Sequence, residues 1–379
     1  MTSRNPALFG SDHDQFRDSI RRFLAAEATP HREAWDAAGR IDRGLWRAAG
    51  ALGMLGSDIP GAYGGADADR LYPFIAAEEL GASGFAFAGW TVQDICCHYI
   101  LRYGTEVQKQ AWLPGMCAGE IIASVAMTEP GAGTDLKAIR TTARRDGDDY
   151  ILSGQKTFIT NGPSCDVAIV VAKTDPAAGA RGVSLFIVEA ERPGFDKGRS
   201  LEKLGQKLQD TGELFFNEVR VPASNLLGTE GQGFMHLMSD LPFERLLISV
   251  HAVAAARAAF EMTVEYARTR PLFGGVLLDQ QNSRFRLAEL KTEIAVGQAF
   301  VDQCLAGYLA GTTDGNDAAM AKYWTTELQC RVVDACVQLH GGNGYMMDYP
   351  ITRAYADARA QRIYGGSNET MRDLIGRTL

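Results

Sequence analysis

Glu244 is one of two glutamates in the sequence with a setting suited to proton transfer. It lies in the stretch SDLPFERLLISVHAVAAARAAF, where Pro242 predicts the opening of a helix and puts Glu244 in its first turn. Leu247 and Ile248, three and four positions further on, place Glu244 on an apolar face. A carboxylate that loses hydration there gains a higher pKa and becomes a useful general base. The alternative is a helix-start glutamate that pairs with a neighbouring cation.

Glu369 is the second such glutamate, in the C-terminal stretch QRIYGGSNETMRDLIGRTL. A helix is predicted to start near Ser367, with Ser367 as the N-cap and Glu369 in the first turn. Capping and the helix dipole account for both residues, at about 0.5–1 kcal/mol each. We therefore predict a structural role for Glu369 rather than a catalytic one.

Two further stretches could hold a flat ligand. MTEPGAGTDL (127–136) combines two glycines, whose backbone amides can approach a ligand closely, with two hydroxyl-bearing threonines. KTFITNG (156–162) places the ring of Phe158 two residues from the hydroxyl of Thr160, a pairing that suits a heteroaromatic partner. Taken separately, both stretches are more typical of ordinary turns, which use the same residue types.

Composition and missing motifs exclude several other functions. A net charge of −8 and a pI near 5.4 argue against nucleic-acid binding. No C-x-x-C pair and no H-x-x-x-H spacing occurs, so no metal site is expected. The G-x-G-x-x-G, G-x-x-x-x-G-K and G-x-S-x-G patterns are absent. The apolar runs are shorter than the ~18 residues of a membrane span, and the charged N-terminus is unlike a secretory signal, so a cytoplasmic location is expected.

The elements that must position these residues fall into three regions. Residues 1–120 show helical periodicity, as in DQFRDSIRRFLAAEA. Residues 121–231 hold short β-branched and aromatic runs separated by turns, which predicts an antiparallel β-barrel or sandwich. Residues 232–379 return to long helical segments, near 243–269, 281–311 and 316–340, and predict a four-helix bundle. The predicted fold class is α+β and multidomain: helical, then β, then helical.

Six stretches that occur in order over nearly the whole chain are specific in combination: MTEPGAGTDL, KTFITNG, KLGQKLQDTGELFFNEVRVP, RTRPLFG, VQLHGGNGYMMDYPITRAYADAR and IYGGSNET. Together they strongly resemble the acyl-CoA dehydrogenase family, and most closely its long-chain branch. The resemblance implies an FAD enzyme in which a carboxylate removes the α-proton of an acyl thioester. The β-hydrogen leaves as hydride to flavin N5, which gives the trans-2-enoyl thioester.

The same resemblance implies site residues at matching positions. Phe158 takes the place of a residue that is usually tryptophan in the family. Flavin contacts fall on Met127, Thr128, Thr134, Phe158, Ile159, Thr160, Ser367 and Glu369. Contacts to the FAD pyrophosphate and adenine, partly across a subunit interface, fall on Arg270, Phe273, Gln281, Gln338, Leu339, His340, Gly341 and Gly342. Substrate contacts fall on Thr134, Met235, Pro242, Arg245, Tyr364, Gly365 and Gly366.

The resemblance also bears on the base. Many family members carry it in the final loop, at the position that is Gly365 here, and glycine has no side chain to take a proton. The long-chain and isovaleryl branches instead carry a glutamate before an arginine on the preceding helix, which is the order Glu244-Arg245. Gly365 keeps a backbone N–H that can donate to the thioester carbonyl. We also expect the Gly365-Gly366 pair to leave space for a branch at the substrate Cα.

Partners and alternatives complete the expectations. The family implies an electron-transfer flavoprotein as electron acceptor and a homo-oligomer, usually a tetramer. Three alternatives stay open: a dehydrogenase acting on a carrier-protein thioester, an oxidase that passes electrons to O₂, and a non-catalytic subunit without flavin. Acyl chain length depends on cavity depth and cannot be read from the motifs.

Overall fold

The computed structural model describes residues 7–379 of the chain. Its first region is helical, and local capping explains several helix starts. The Asp42 side chain accepts from the N–H of Gly44, and Thr105 and Gln108 form a reciprocal capping box. The helices are α1 (Ser11–Phe23), α2 (Arg32–Ala38), α3 (Arg43–Ala51), α4 (Tyr72–Ser83), α5 (Gly89–Tyr103) and α6 (Glu106–Cys117).

The middle region is an eight-stranded sheet. Its strands are β1 (Ala123–Ala126), β2 (Thr142–Asp146), β3 (Asp149–Thr160), β4 (Val167–Lys173), β5 (Val183–Glu189), β6 (Phe195–Ser200), β7 (Thr211–Pro222) and β8 (Leu226–Leu227). The order is β6-β7-β3-β2-β4-β5-β8, with β1 beside β4. Most pairs are antiparallel, as the sequence predicts, but β4 runs parallel to both β1 and β2.

The last region is a helical bundle. It contains α7 (Gly233–Thr269), α8 (Gln281–Ala310), α9 (Gly315–His340), α10 (Pro350–Ala358) and α11 (Asn368–Gly376), with a short hairpin of β9 (Pro271–Leu272) and β10 (Gly275–Val276) after α7. The bundle predicted from the periodicity is confirmed. Gly341 ends α9 at φ +60°, a conformation that favours glycine.

The start of α7 corrects one expectation. Pro242 does not open this helix; α7 begins ten residues before Phe243, and Glu244 lies well inside it. A proline in a helix interior removes one backbone hydrogen bond, which usually ends the helix. Here the turns before Pro242 also bury Gly233, Leu237 and Asp240, so packing keeps the segment helical.

α7 is the central element of the molecule. It packs against α4 and α5 of the first region and against α8, α9 and α10 of the bundle. One hydrophobic core is shared by these helices, and a second lies inside the sheet. Within residues 7–379, α7 is also the one helix long and apolar enough to cross a membrane, but half of that stretch is buried in the protein. We therefore treat it as the core helix of the bundle.

Candidate active site

Glu244 lies at the contact between α5 and α7. Its side chain is buried, and its Oε1 accepts a hydrogen bond from the Tyr99 hydroxyl at 3.0 Å. Burial raises the pKa of the Glu244 carboxyl to about 7, and the nearby Asp240 charge acts in the same direction. The Tyr99 hydrogen bond and the Arg245 charge oppose this shift. A carboxyl group with a pKa near 7 is suited to accept a proton at neutral pH.

The loop before α11 lies against the same part of α7. Gly365 and Gly366 have φ of +65° and +87°, in the left-handed region that favours glycine. A Cβ added to Gly365 would lie 2.5 Å from Cδ1 of Ile248, one turn after Glu244. The Arg245 guanidinium donates from Nε to the Gly365 carbonyl at 3.5 Å. These contacts bring the loop to the helix that carries Glu244.

A buried lysine fixes the other side of this loop. The Lys322 ammonium donates to the Gly366 carbonyl at 2.7 Å and to Asn368 Oδ1 at 2.9 Å. Within residues 7–379, the N–H of Gly365 donates to no protein acceptor. The loop is therefore held through its carbonyls while this amide stays available as a donor.

The space expected beside the two glycines is occupied by protein. Ile248 fills the position next to Gly365, and Cε of Met371 lies 2.7 Å from the position of a Cβ on Gly366. The Cβ positions of the two glycines are therefore not empty, and room for a branch at the substrate Cα stays a prediction. The neighbouring side chains fill the volume that two side chains would otherwise take.

Glu369 has a different environment from Glu244. It is exposed in the first turn of α11, and the Ser367 side chain caps this helix by accepting from Thr370 N at 3.3 Å. The predicted N-cap is thus confirmed. The Glu369 carboxylate accepts from its own backbone N–H, which lowers its pKa, and Ser367 acts in the same direction. A lowered pKa makes the Glu369 carboxylate a weaker base than Glu244.

Phe158 adopts an unusual conformation at the edge of the sheet. The β3–β7 register shifts between Lys156 and Ile159, and Phe158 has φ +58° at this bulge. Its ring is 67% exposed. Positive φ is rare for a bulky residue and costs about 1–3 kcal/mol, and bulges often redirect a side chain next to an active site. The bulge thus presents an aromatic face to the outside of the sheet.

The loop 127–134 lies beside this bulge. The N–H of Thr157 donates to the Thr128 carbonyl at 2.9 Å, so the loop is joined directly to β3. A Cβ on Gly131 or Gly133 would meet nothing within 4 Å, which leaves the loop backbone open to a ligand. Thr134 is exposed in the same loop, whereas Thr128 and Thr160 are partly buried.

A buried ion pair beneath the loop holds it in place. Lys156 donates from Nζ to Glu129 Oε1 at 2.8 Å and to the Met127 carbonyl at 3.0 Å. Glu129 also accepts from the backbone N–H groups of Arg140 and Thr141 at 2.6 and 3.0 Å. Burial alone would raise the pKa of Glu129, but the ammonium and these donors outweigh it and lower that pKa. The pair thus joins the two stretches that carry the predicted flavin positions.

Three domain descriptions of one family match the chain. The acyl-CoA dehydrogenase N-terminal domain matches residues 10–120, the middle domain residues 124–219 and the C-terminal domain residues 231–379. This chain belongs to the acyl-CoA dehydrogenase family. It is 49% identical over 375 residues to the mitochondrial long-chain specific acyl-CoA dehydrogenase of Rattus norvegicus, which covers 98% of this chain and 87% of the relative. It is 33% identical over 384 residues to the mitochondrial isovaleryl-CoA dehydrogenase of Oryza sativa, with 100% of this chain and 93% of the relative covered.

Solved structures show the same fold. The acyl-CoA dehydrogenase from Geobacillus kaustophilus has a TM-score of 0.96 at 46% identity, with 98% of each chain covered. A chain in a structure described as the electron transferring flavoprotein of Acidaminococcus fermentans has a TM-score of 0.93 at 35% identity, again with 98% of each chain covered. A glutaryl-CoA dehydrogenase from Mycobacterium smegmatis, solved in complex with FADH2, has a TM-score of 0.92 at 31% identity, with 98% and 95% covered.

The acyl-CoA dehydrogenases are FAD-dependent enzymes, and the residues of this chain fit a flavin. Phe158 supplies an exposed ring face in a rare backbone conformation, and the loop 127–134 supplies open backbone. The hydroxyls of Thr128 and Thr160 lie on the same two segments. These observations agree with the cofactor that the motifs imply.

The second set of predicted FAD positions lies elsewhere in this acyl-CoA dehydrogenase. These residues lie at the end of α7, the start of α8 and the end of α9. The ends of α7 and α9 are in contact there, because the ring of Tyr266 stacks on that of His340 with centroids 4.1 Å apart. Most of the set is exposed, and Phe273 is 90% exposed. Its members are Arg270, Phe273, Gln281, Gln338, Leu339, His340, Gly341 and Gly342. At 1.5 Å per helical residue, Arg270 lies about 39 Å along α7 from Glu244.

Other predicted substrate positions are dispersed. Met235 is 58% exposed near the start of α7, and Pro242 is partly buried within the same helix. Tyr364 is partly buried, and its hydroxyl accepts from Gln206 Nε2 at 3.3 Å. Arg245, Gly365 and Gly366 form the contacts with the Glu244 helix described above.

Sequence reasoning missed several residues around the site. Tyr99 lies 145 positions from Glu244 in the chain, and no local pattern points to it. Ile248 was identified as part of the apolar face but not as the neighbour of Gly365. A signal did exist for Lys156 and Glu129, because they are charged residues of opposite sign inside the two quoted motifs.

Proposed function

We propose that this acyl-CoA dehydrogenase desaturates an acyl-CoA thioester between C2 and C3, with Glu244 as the base that removes the α-proton. The observation that carries the proposal is a buried glutamate, its pKa raised to about 7, on the helix that contacts the Gly365 loop. The corresponding family loop position is glycine in this chain. Glu369 is exposed, has a lowered pKa and lies in the first turn of α11, which leaves Glu244 as the better base.

The backbone around Gly365 completes the proton-transfer site. As the α-proton leaves, negative charge develops on the thioester carbonyl oxygen, and the N–H of Gly365, which donates to no protein acceptor within residues 7–379, would donate to it. Donors of this kind contribute about 3–4 kcal/mol to the transition state in oxyanion holes generally. Arg245 and Lys322 hold the carbonyls of the same two glycines, so they orient this amide rather than react.

FAD would supply the electrophile that takes the β-hydrogen as hydride. On this chain, Phe158 would cover one ring face, and Thr128 and Thr160 would contact the polar edge. The remaining proposed neighbours of the flavin are Met127, Thr134, Ile159, Ser367 and Glu369. The Lys156–Glu129 pair would keep the two binding segments in register.

We propose further that FAD is shared between protomers of a homotetramer. The exposed set around Arg270 lies about 39 Å along α7 from Glu244, which is longer than an extended FAD molecule. A flavin beside Glu244 therefore cannot place its adenine on this set in the same chain. A partner subunit can supply the set instead, which is what the family resemblance implies for these positions.

The proposed electron acceptor is an electron-transfer flavoprotein, and the proposed substrates are long-chain acyl-CoA esters. Identity near 49% to a protein named long-chain specific acyl-CoA dehydrogenase supports the substrate class. The likeness to a chain in an electron transferring flavoprotein structure supports the acceptor.

An anaerobic titration with a long-chain acyl-CoA, followed by flavin absorbance, tests the base assignment. The wild type should bleach, Glu244→Gln should bind the ester without bleaching, and Glu369→Gln should bleach as the wild type does. Bleaching of Glu244→Gln at the wild-type rate would overturn the assignment. Bleaching of the wild type only by the carrier-protein thioester would replace the substrate class, and rapid reoxidation by air would favour an oxidase.

A further inference from the structure

A row of polar contacts connects α5 to α7 beside the proposed base. The Tyr99 hydroxyl bonds to Glu244, and one turn away the Arg102 guanidinium pairs with Asp240. One turn further from Glu244 along α7, the ring of His236 stacks on that of Tyr103 with centroids 4.0 Å apart. We name this row the α5–α7 seam. Because contacting residues recur at helical spacing on both helices, the seam fixes the rotation of each helix against the other.

Tyr99 is more deeply buried than Arg102, the next polar member of the seam on α5. Its side chain is fully buried, whereas the Arg102 side chain is 48% exposed. Burial raises the pKa of the Tyr99 phenol well above 10, and the nearby Glu244 charge acts in the same direction. The phenol therefore stays protonated and remains a hydrogen-bond donor through the pH range in which Glu244 titrates.

We propose that Tyr99 is a positioning residue for the base, holding Glu244 Oε1 so that the other carboxylate oxygen is presented to the substrate α-proton. The inference rests on the proposed role of Glu244 and assigns a residue from the first helical region to the same reaction step. Tyr99 donates to the ionised form of Glu244, so it also favours the form that can accept a proton.

The other charged and titratable neighbours of Glu244 set the direction of the effect. From α5 these are Tyr99 and Cys96, and burial raises the pKa of the Cys96 thiol well above its ordinary value, so this thiol stays neutral. From α7 they are Asp240, which raises the pKa of Glu244, and Arg245, which lowers it. The loop at 365–366 brings no titratable side chain. Without the Tyr99 hydroxyl, burial and the Asp240 charge still raise the pKa of Glu244, and the Arg245 charge alone lowers it.

The test compares Tyr99→Phe with wild type in the FAD-loaded enzyme. The matched control is Tyr150→Phe, which removes a tyrosine hydroxyl bonded to Glu230 Oε2 at 2.9 Å inside the sheet region. Two readouts are taken over pH 5–10: kcat with saturating acyl-CoA, and the ionisation of Glu244 followed by its carboxyl infrared band, with Glu244→Gln identifying that band. The infrared titration needs no turnover.

In Tyr99→Phe we expect the pH midpoint of Glu244 ionisation to rise by about 1–2 pH units, because a hydrogen bond to the charged form is lost. The value of kcat at pH 7 should fall about 5- to 50-fold as the ionised fraction falls, and should recover towards wild type at high pH. Tyr150→Phe should change neither readout. Recovery at high pH would not follow from a merely structural defect.

An unchanged midpoint in Tyr99→Phe, or an equal shift in Tyr150→Phe, would overturn the inference. If Tyr99→Phe does not fold, 3-fluorotyrosine at position 99 replaces it: a more acidic phenol is a stronger donor, so the Glu244 midpoint should fall, and an unchanged midpoint would overturn the inference. Failure of the proposed function is separate. It would appear as flavin bleaching by Glu244→Gln, whatever the Tyr99 variants do.

Discussion

Replacing Lys156 by methionine should loosen the loop 127–134, which carries proposed flavin positions. Lys156 is fully buried, and methionine keeps much of its volume while removing the ammonium that bonds to Glu129 and to the Met127 carbonyl. Removal of one partner from a buried ion pair costs about 3–5 kcal/mol, because the other charge is left without compensation. Glu129 keeps two backbone N–H donors, so we expect the lower end, about 3 kcal/mol.

Hydrogen exchange, measured peptide by peptide, reports this loss of stability for each segment separately. A loss of about 3 kcal/mol in the free energy of opening should speed exchange in β3 and residues 127–134 by roughly 100-fold. The dissociation constant of FAD should rise at least about tenfold, which corresponds to about 1.4 kcal/mol. The double variant Lys156→Met with Glu129→Gln should recover part of both losses, because no buried charge then lacks a partner.

Arg220→Met is the matched control. Arg220 bonds to Asp146 and Asp149 in the same sheet, but its side chain is 57% exposed. Exposed ion pairs contribute about 0–1 kcal/mol, so exchange in β3 should change less than about fivefold. Equal effects of Arg220→Met and Lys156→Met would refute the reasoning, since burial is what distinguishes the two cations.

Two further predictions concern the α7 side of the site. Ile248→Ala should raise the kcat/KM ratio of 2-methyl-branched over straight-chain acyl-CoA by at least about tenfold, because Ile248 fills the space beside Gly365; an unchanged ratio would locate the branch elsewhere. For Glu244, a folded pKa near 7 against an ordinary 4.5 means that the ionised carboxylate reduces stability by about 3 kcal/mol above pH 7 and by nothing below pH 4.5. The melting temperature of Glu244→Gln should therefore increase relative to that of the wild type as the pH rises from 5 to 8. A difference in melting temperature that does not change with pH would contradict the raised pKa of Glu244.

The sequence predicted the features that depend on local pattern. Helical periodicity and β-branched runs predicted the helix–β–helix order, and Ser367 was identified as an N-cap because capping involves residues three positions apart. The start of α7 was wrong because the local preference of Pro242 was outweighed by packing of the preceding turns. The parallel pairing of β4 with β1 and β2 could not be read from strand patterns, which do not encode strand direction. The cytoplasmic location and the tetramer stay predictions.

Contacts between distant segments were beyond local reasoning. The bond from Tyr99 to Glu244 depends on how α5 packs against α7, and a helical pattern states which face is apolar but not which helix covers it. The same limit applies to Ile248. Its apolar type and position were read correctly, yet only the folded chain brings it to Gly365 and fills the space that the glycine pair was expected to leave.

A glutamate at position 244 and a glycine at position 365 are consistent with each other in this fold. Gly365 has a left-handed backbone that disfavours a side chain, and its Cβ position is already contacted by Ile248. The loop therefore contributes only backbone, which Arg245 and Lys322 fix through its carbonyls. The proposed base, Glu244, instead lies on the central helix, where burial raises its pKa and the Tyr99 hydroxyl bonds to one of its oxygens. A helix surrounded by other elements holds a side chain more accurately than a loop does, so this division would place the proposed proton acceptor on the more rigid element.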